Sequence, residues 1–188
     1  SLDEMIKIWD PSRISKSPAI FDPLKLRAIN AAYIRALPAE EFRRLADPFI
    51  DSAVHCSIDR DLLCANLQPR CEVLEDIPPQ LDFFDAVLPI DAEMYRNKKQ
   101  KTTPESAKEA LTALLPVLED QTDWSRDAIF EACKQKAEAM EKKNGWLLFP
   151  LGIALSGKSR TPGGGTDLAA MMGKEETVKR VKAALEKL

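Results

Sequence analysis

The chain has 188 residues, enough for one domain or two small ones, and long enough to bury about two-thirds of its unfolded surface without staples. Apolar residues make up 45% and charged residues 30%, with only 7 glycines, a composition that suits a soluble, globular, helical protein. The 27 basic and 30 acidic side chains sum to −3, so global charge gives no attraction to nucleic acid, and any such contact must come from local patches.

Residues 1–9 place Leu2, Met5, Ile6 and Trp9 at helical spacing and read as the end of an amphipathic helix that begins upstream. Asp22 followed by Pro23 is a cap with proline at the first helical position. The helix it opens, over 23–37, carries Leu26, Ile29, Tyr33 and Leu37 on one face and ends before Pro38. Short helices are expected over 39–46, 48–56 and 60–68, the last capped by Ser57 or Asp59. Pro69-Arg70-Cys71 interrupts, a helical turn runs to Asp76, and Pro78-Pro79 begins a short helix containing Phe83 and Phe84. Cys56, Cys64, Cys71 and Cys133 form no C-x-x-C pair and read as reduced, buried thiols. With His55 as the single histidine, their spacings fit no standard zinc frame, and no metal ligand is assigned.

The most basic stretch is 96–104, read either as a solvated linker or as phosphate contacts through Lys98, Lys99 and Lys101. Pro104 starts a helix to residue 119. Asp123 is expected to cap a helix over 124–143 with Ile129, Cys133, Ala137 and Met140 buried, stopped by Asn144-Gly145. The longest apolar run, 146–151, is far too short to cross a membrane, and no secretory leader pattern is visible.

From Leu155 a basic, Gly-rich loop feeds two helices. Pro162 fixes φ, Gly163 to Gly165 permit close approach or positive φ, and Thr166 or Asp167 can cap the helix to Met172. Backbone N–H groups and the cations Lys158 and Arg160 stand there, where an anion or a base edge can be received. Residues 152–159 also fit the phosphate-loop expression G-x-x-x-x-G-K-[ST]. That reading fails on context, because Arg160-Thr161-Pro162 and three glycines follow the Lys-Ser pair, where a true phosphate loop opens a helix. The final helix, with Val178, Val181, Leu185 and Leu188 at 3-4-3 spacing, reads as core.

Two blocks carry a family resemblance. Ser15-Lys16-Ser17-Pro18-Ala19-Ile20-Phe21-Asp22-Pro23, with Lys25-Leu26, Asn30 and Tyr33-Ile34-Arg35, resembles the segment by which bacterial glutamyl-tRNA synthetases pass from catalytic core to anticodon-binding region. Ala154-Leu155-Ser156-Gly157, Thr161-Pro162-Gly163-Gly164 and Met172-Gly173-Lys174-Glu175 resemble that family's last segment. The resemblance covers the whole chain. It implies an all-α helical cage of two anticodon-binding subdomains, 23–92 and 93–188, preceded by the end of a stem-contact segment over 1–22. Arg13-Ile14-Ser15-Lys16-Ser17 mimics the K-M-S-K-S signature of class I synthetases, but no Rossmann core or H-I-G-H partner accompanies it, so Lys16 is not an ATP ligand and reads either as a contact to the tRNA backbone or as a solvated charge.

The resemblance further implies a cytoplasmic protein that binds the anticodon arm of tRNA(Glu), leaves open tRNA(Gln), and catalyses nothing alone. ATP, glutamate and Mg²⁺ would belong to the catalytic domain of the same polypeptide. Arg70, Lys134, Thr161, Gly163 and Gly164 are carried over as anticodon contacts, with Lys16, Lys98, Lys99, Lys101, Lys158 and Arg160 on phosphates. The pattern breaks at Pro150-Leu151-Gly152, where family members usually carry arginine at the third position, and at Gly164, where some carry a larger apolar residue. The other reading is a helical protein-interaction domain that kept the fold without RNA binding, for which Gly152 and the charge of −3 speak.

Overall fold

The computed structural model describes residues 1–14, 20–86 and 88–188. Among them the regular structure is helical, and the only β feature is an isolated Asn97–Thr102 bridge. The helices are α1 (Leu2–Ile8), α2 (Pro23–Ala36), α3 (Ala39–Asp51), α4 (Arg60–Leu67), α5 (Pro104–Asp120), α6 (Arg126–Ala139), α7 (Asn144–Ser156), α8 (Gly165–Met172) and α9 (Lys174–Lys187). Short 3₁₀ turns at Gln68–Arg70, Leu74–Asp76, Pro78–Gln80 and Ala92–Tyr95 join the two halves.

Helix α7 is the centre because its sequence is apolar all round, and such a helix can only be stable inside. Trp146, Leu147, Leu151, Ile153, Ala154 and Leu155 are all buried, and α5, α6, α8 and α9 pack around them. Gly157 takes the left-handed conformation (φ 66°) and its N–H donates to Ile153 O at 2.8 Å, which stops α7 and releases the chain into the Gly-rich loop. The second body is α3 with α4, where Phe42, Ala46, Ile50, Leu63 and Leu67 are buried, closed below by Phe83 and Phe84, stacked 4.5 Å apart. Residues of both bodies belong to one contiguous hydrophobic cluster.

Several expected boundaries shift. Residues 39–51 form one helix, not two broken at Pro48. The proline is exposed, so its ring and the Arg44 carbonyl it leaves without a donor face water, while Phe42, Ala46 and Ile50 continue the buried stripe beneath. Phe83 and Phe84 lie in turns beyond the 3₁₀ segment rather than in a helix. Ser125, not Asp123, caps α6: its hydroxyl accepts from Ala128 N at 3.4 Å, while Asp123 accepts from Ser125 N just upstream at 2.9 Å. The α6 stop is Glu141 (φ 54°), and Asn144-Gly145 instead begins α7. Cys64, Cys71 and Cys133 are buried, with thiol pKa values pushed up by burial to about 11, about 11 and about 12, whereas Cys56 is exposed.

The α2 face is the largest correction. Ala31 and Ile34 are buried, whereas Leu26, Ile29 and Tyr33 are exposed, Tyr33 by 72%. The helix is held by polar groups instead: Gln68 Nε2 donates to Ile34 O and Leu37 O, Asn30 Nδ2 donates to Glu72 O, and Arg27 pairs with Glu72 and Asp76. Helix α1, which starts with Ser1 as its cap, buries nothing. The accessible surface of 11641 Å² therefore exceeds the roughly 9,000 Å² expected for a compact chain of this size.

A buried side chain clamps the two bodies together. Arg180 on α9 is 2% exposed, and its guanidinium donates to Phe83 O (2.6 Å), Phe84 O (2.6 Å) and Leu155 O (2.7 Å), with Nε on Glu176 Oε1 at 2.7 Å. Burial tends to raise the Glu176 pKa, but its bonds to Arg180 and Lys179 outweigh that and hold it below the usual carboxylate value. Replacing Arg180 by Met removes the guanidinium donors from three carbonyls, while Glu176 keeps Lys179 at 3.0 Å, and should cost about 3–5 kcal/mol in urea unfolding, mostly from the buried carbonyls. A loss under about 1 kcal/mol would show that the clamp is dispensable.

Candidate anticodon-arm interface

An open cavity of about 660 Å³ lies between the two bodies. One wall is Arg70, at the end of the Gln68–Arg70 turn, with Gln80. The floor is the half-buried stripe of α7, Leu148, Phe149 and Gly152, together with the buried Ile153, and the opposite wall is the loop 158–165. Six of the expected site residues meet here: Arg70, Lys158, Arg160, Thr161, Gly163 and Gly164.

The walls touch through Arg70, whose Nη1 donates to Thr161 O at 3.4 Å. Among the described residues neither Arg70 nor Arg160 pairs with a carboxylate, so both present full charge to whatever enters. Lys158 differs: its ammonium pairs with Asp82 and donates to Pro79 O at 2.8 Å, so it ties the loop to the other wall. Thr161 Oγ1 donates to Gly163 O at 2.6 Å, a bond inside the loop that leaves the hydroxyl oxygen to accept.

The three glycines act by close approach. None of them has positive φ; that conformation occurs at Gly157 and Gly173. A Cβ on Gly163 would stand 2.5 Å from Asp167 Cβ, and one on Gly165 would stand 2.7 Å from Leu148 O and 3.0 Å from Gly152 N. Helix α8 thus begins against the backbone of α7. A Cβ on Gly152 would lie 3.7 Å from Gly165 N, an ordinary contact, so this part of the floor is bare backbone by choice of residue and not by lack of room.

Asp167 caps α8 from its third position, with Oδ2 accepting from Gly164 N at 2.7 Å, while Thr166 is buried. The Gly164 N–H just before α8 is therefore engaged by a carboxylate of the helix's own first turn. The phosphate-loop reading is excluded by the same geometry: Gly152 sits inside a helix, and no helix starts at Lys158.

Other expected contacts lie elsewhere. Lys134 on α6 pairs with Glu131 at 3.2 Å and does not line the cavity. Lys98, Lys99 and Lys101 are exposed on a closed turn, not a linker: Asn97 and Thr102 bridge its ends, Asn97 Oδ1 accepts from Lys99 N and Gln100 N, and Lys101 has φ 56°. Gln100 abuts Gly145 at the start of α7, whereas the cavity floor is the later part of that helix. Lys16 lies outside the described residues. Among those residues no group of three or more His, Cys, Asp or Glu is placed to hold a metal ion, and no helix is long and apolar enough to cross a membrane. His55 Nδ1 instead lies 2.6 Å from Asp85, whose pKa is held far below the usual carboxylate value by that contact and by the His55 and Cys56 backbone N–H groups.

Sequence reasoning missed three residues of this region. Asp82 gave no local signal. Arg126, which reaches Asp167 Oδ1 at 3.0 Å, is a contact 41 positions apart that no periodicity reveals. Arg180 could have been found, because residues 177, 180, 181 and 184 form the i, i+3, i+4, i+7 stripe that is in fact buried.

A family model described as an anticodon binding domain matches residues 26–185. The chain belongs to the anticodon-binding domain family. It is 41% identical to a glutamate–tRNA ligase of Clostridium acetobutylicum, covering the whole of this chain and 39% of the relative, and 41% identical to that of Clostridium botulinum with the same coverage. The crystal structure of a glutamate tRNA ligase from Elizabethkingia meningosepticum in complex with its amino acid superimposes with a TM-score of 0.79 at 27% identity, over all of this chain and 37% of that one. The anticodon-binding domain described here thus spans about two-fifths of the length of these relatives.

Gly165→Ala in this domain drives a methyl into the Leu148 carbonyl and should cost about 1–3 kcal/mol in urea unfolding. Gly152→Ala, with room and a helical position, should instead raise stability by up to about 1 kcal/mol. Equal effects at the two positions would contradict the close α7–α8 approach.

Proposed function

We propose that the cavity between the two bodies receives the anticodon loop of tRNA(Glu), and that the chain is the anticodon-binding part of a glutamate–tRNA ligase. The observation that carries the reading is the convergence of Arg70, Arg160 and the Thr161–Gly165 loop on one open cavity, in a chain whose relatives bear that name. An unstacked base needs a face to stack on and edges to pair with. Leu148, Phe149 and the backbone at Gly152 offer the first, and the Arg70 guanidinium and the Thr161 oxygens offer the second. Arg160 at the rim would meet a phosphate, as would Lys98, Lys99 and Lys101 if the stem runs past the start of α7. Lys134 and Lys158 have ion-pair partners already, so their part is secondary.

The domain divides under this reading into an end of a stem-contact segment, 1–22, and two anticodon-binding subdomains, 23–92 and 93–188. The exposed apolar side chains on and beside α1 and α2, among them Trp9, Phe21, Leu24 and Tyr33, would meet the catalytic half of the ligase, where ATP, glutamate and Mg²⁺ would act. The working compartment would be the cytoplasm. Whether tRNA(Gln) also binds depends on base contacts at Arg70 and on the bare floor at Gly152.

Affinity for an anticodon stem-loop of tRNA(Glu) tests the reading. Arg70→Ala should weaken binding by about 1–3 kcal/mol, the usual worth of a specific base contact, with little change in salt dependence. An Arg70→Ala domain that binds as the parent does, or a parent that binds the cognate and a scrambled stem-loop alike, would overturn it.

A further inference from the structure

We infer that Asp167 is a positioning and anion-excluding residue of the interface, a built-in carboxylate that fixes the Gly-rich loop and keeps phosphate off the start of α8. The inference rests on the anticodon-arm reading and adds how the loop separates bases from backbone.

The N-terminus of a helix carries partial positive charge and N–H groups without intrahelical partners, so a bare one beside a nucleic-acid cavity attracts phosphate whatever the sequence. At α8 that attraction is opposed by a carboxylate of the first turn, which engages the N–H of the preceding Gly164. Asp167 Oδ2 accepts from Gly164 N at 2.7 Å, and Oδ1 accepts from Arg126 Nε at 3.0 Å. The carboxylate is only 15% exposed, against 46% for Arg126. Arg126 is itself engaged a second time by Asp127 at 2.8 Å and lies over the Phe130 ring at 5.5 Å. The cation nearest the helix start is thus neutralised as well, and the carboxylate cannot swing away without leaving Arg126.

The backbone is shaped to the same side chain. Gly163 passes so close to Asp167 that any side chain there would collide with its Cβ, at 2.5 Å. The loop from Thr161 to Gly165 is therefore moulded over Asp167, and its conformation depends on it. A phosphate placed at this helix start would meet a carboxylate. A base edge or ribose hydroxyl, being neutral, would not. The full positive charges of the cavity are left to Arg70, which faces a base edge, and Arg160 at the rim, so the cavity favours neutral groups along Thr161 to Gly165 and phosphate at Arg160.

Asp167→Asn keeps an acceptor for Gly164 N and the shape of the side chain, and removes the charge. Binding of the cognate anticodon stem-loop and of a scrambled one should be measured over a salt series, with Asp167→Ala in parallel and inorganic phosphate as a second probe by thermal shift. For Asp167→Asn the expected result is a scrambled-loop affinity several-fold higher, a salt slope steeper by about 0.7, the value for one added phosphate contact on a single strand, and a new stabilisation by phosphate absent from the parent. Asp167→Ala should lose cognate affinity as the loop relaxes. If Asp167→Asn keeps the parent's discrimination, salt slope and indifference to phosphate, the residue is a cap only and the inference fails. A parent unable to tell cognate from scrambled loop would instead sink the anticodon reading, while the phosphate probe still decides the role of Asp167.

Discussion

The interface depends on a buried guanidinium. Arg180 sits almost wholly out of water on α9, and a charge so placed is tolerable only when its donors are met. Three backbone carbonyls and one carboxylate meet them, and they come from different parts of the fold: Phe83 and Phe84 from the turn that closes the α3–α4 body, Leu155 from the end of α7, and Glu176 one turn earlier on α9. Apolar packing alone would let two helical bodies slide against each other. A planar group with fixed donor directions sets their register.

That register reaches the cavity through consecutive residues. Asp82, directly before the clamped phenylalanines, holds Lys158 at the root of the Gly-rich loop, and Leu155 is two positions before the left-handed Gly157 from which the loop departs. Asp85, directly after them, gathers the backbone N–H groups of His55 and Cys56 and so ties the same turn to the end of α3. Both walls of the cavity therefore hang from the segment that Arg180 grips, and the Arg70–Thr161 contact spans the gap between them. The cavity is a designed separation between two registered surfaces rather than a packing flaw.

Local chemistry made much of the fold legible. Asp22-Pro23 and Pro104 mark helix starts because proline fits the first helical position, and both hold in the structure, where Thr103 caps the second. Signals that compete locally were harder to resolve. Pro48 reads as a break, yet its exposed side lets the helix pass. Asp123 and Ser125 are both good caps, and the one nearer the buried stripe wins. Asn144-Gly145 looks like a stop, yet the apolar run after it needs a helix start more than α6 needs an end. At the site, Arg70 and Thr161 came from resemblance to a family and Arg160 from the basic loop; all three line one cavity, while Lys134, carried over in the same way as Arg70, stands apart with Glu131. Contacts such as Arg126 to Asp167 and Arg180 to Phe83 join residues dozens of positions apart, and no periodicity encodes them.

Under the proposed function, RNA enters the cavity between the two bodies. Amide chemical-shift mapping of the chain titrated with an anticodon stem-loop of tRNA(Glu) tests it most directly. The account predicts that the largest changes cluster at Arg70, Leu148 to Ile153 and Arg160 to Gly165, with only small ones on the outer face of α2. Changes concentrated on α1 and α2, or on the outer surface of α5 and α9 with the cavity silent, would contradict it.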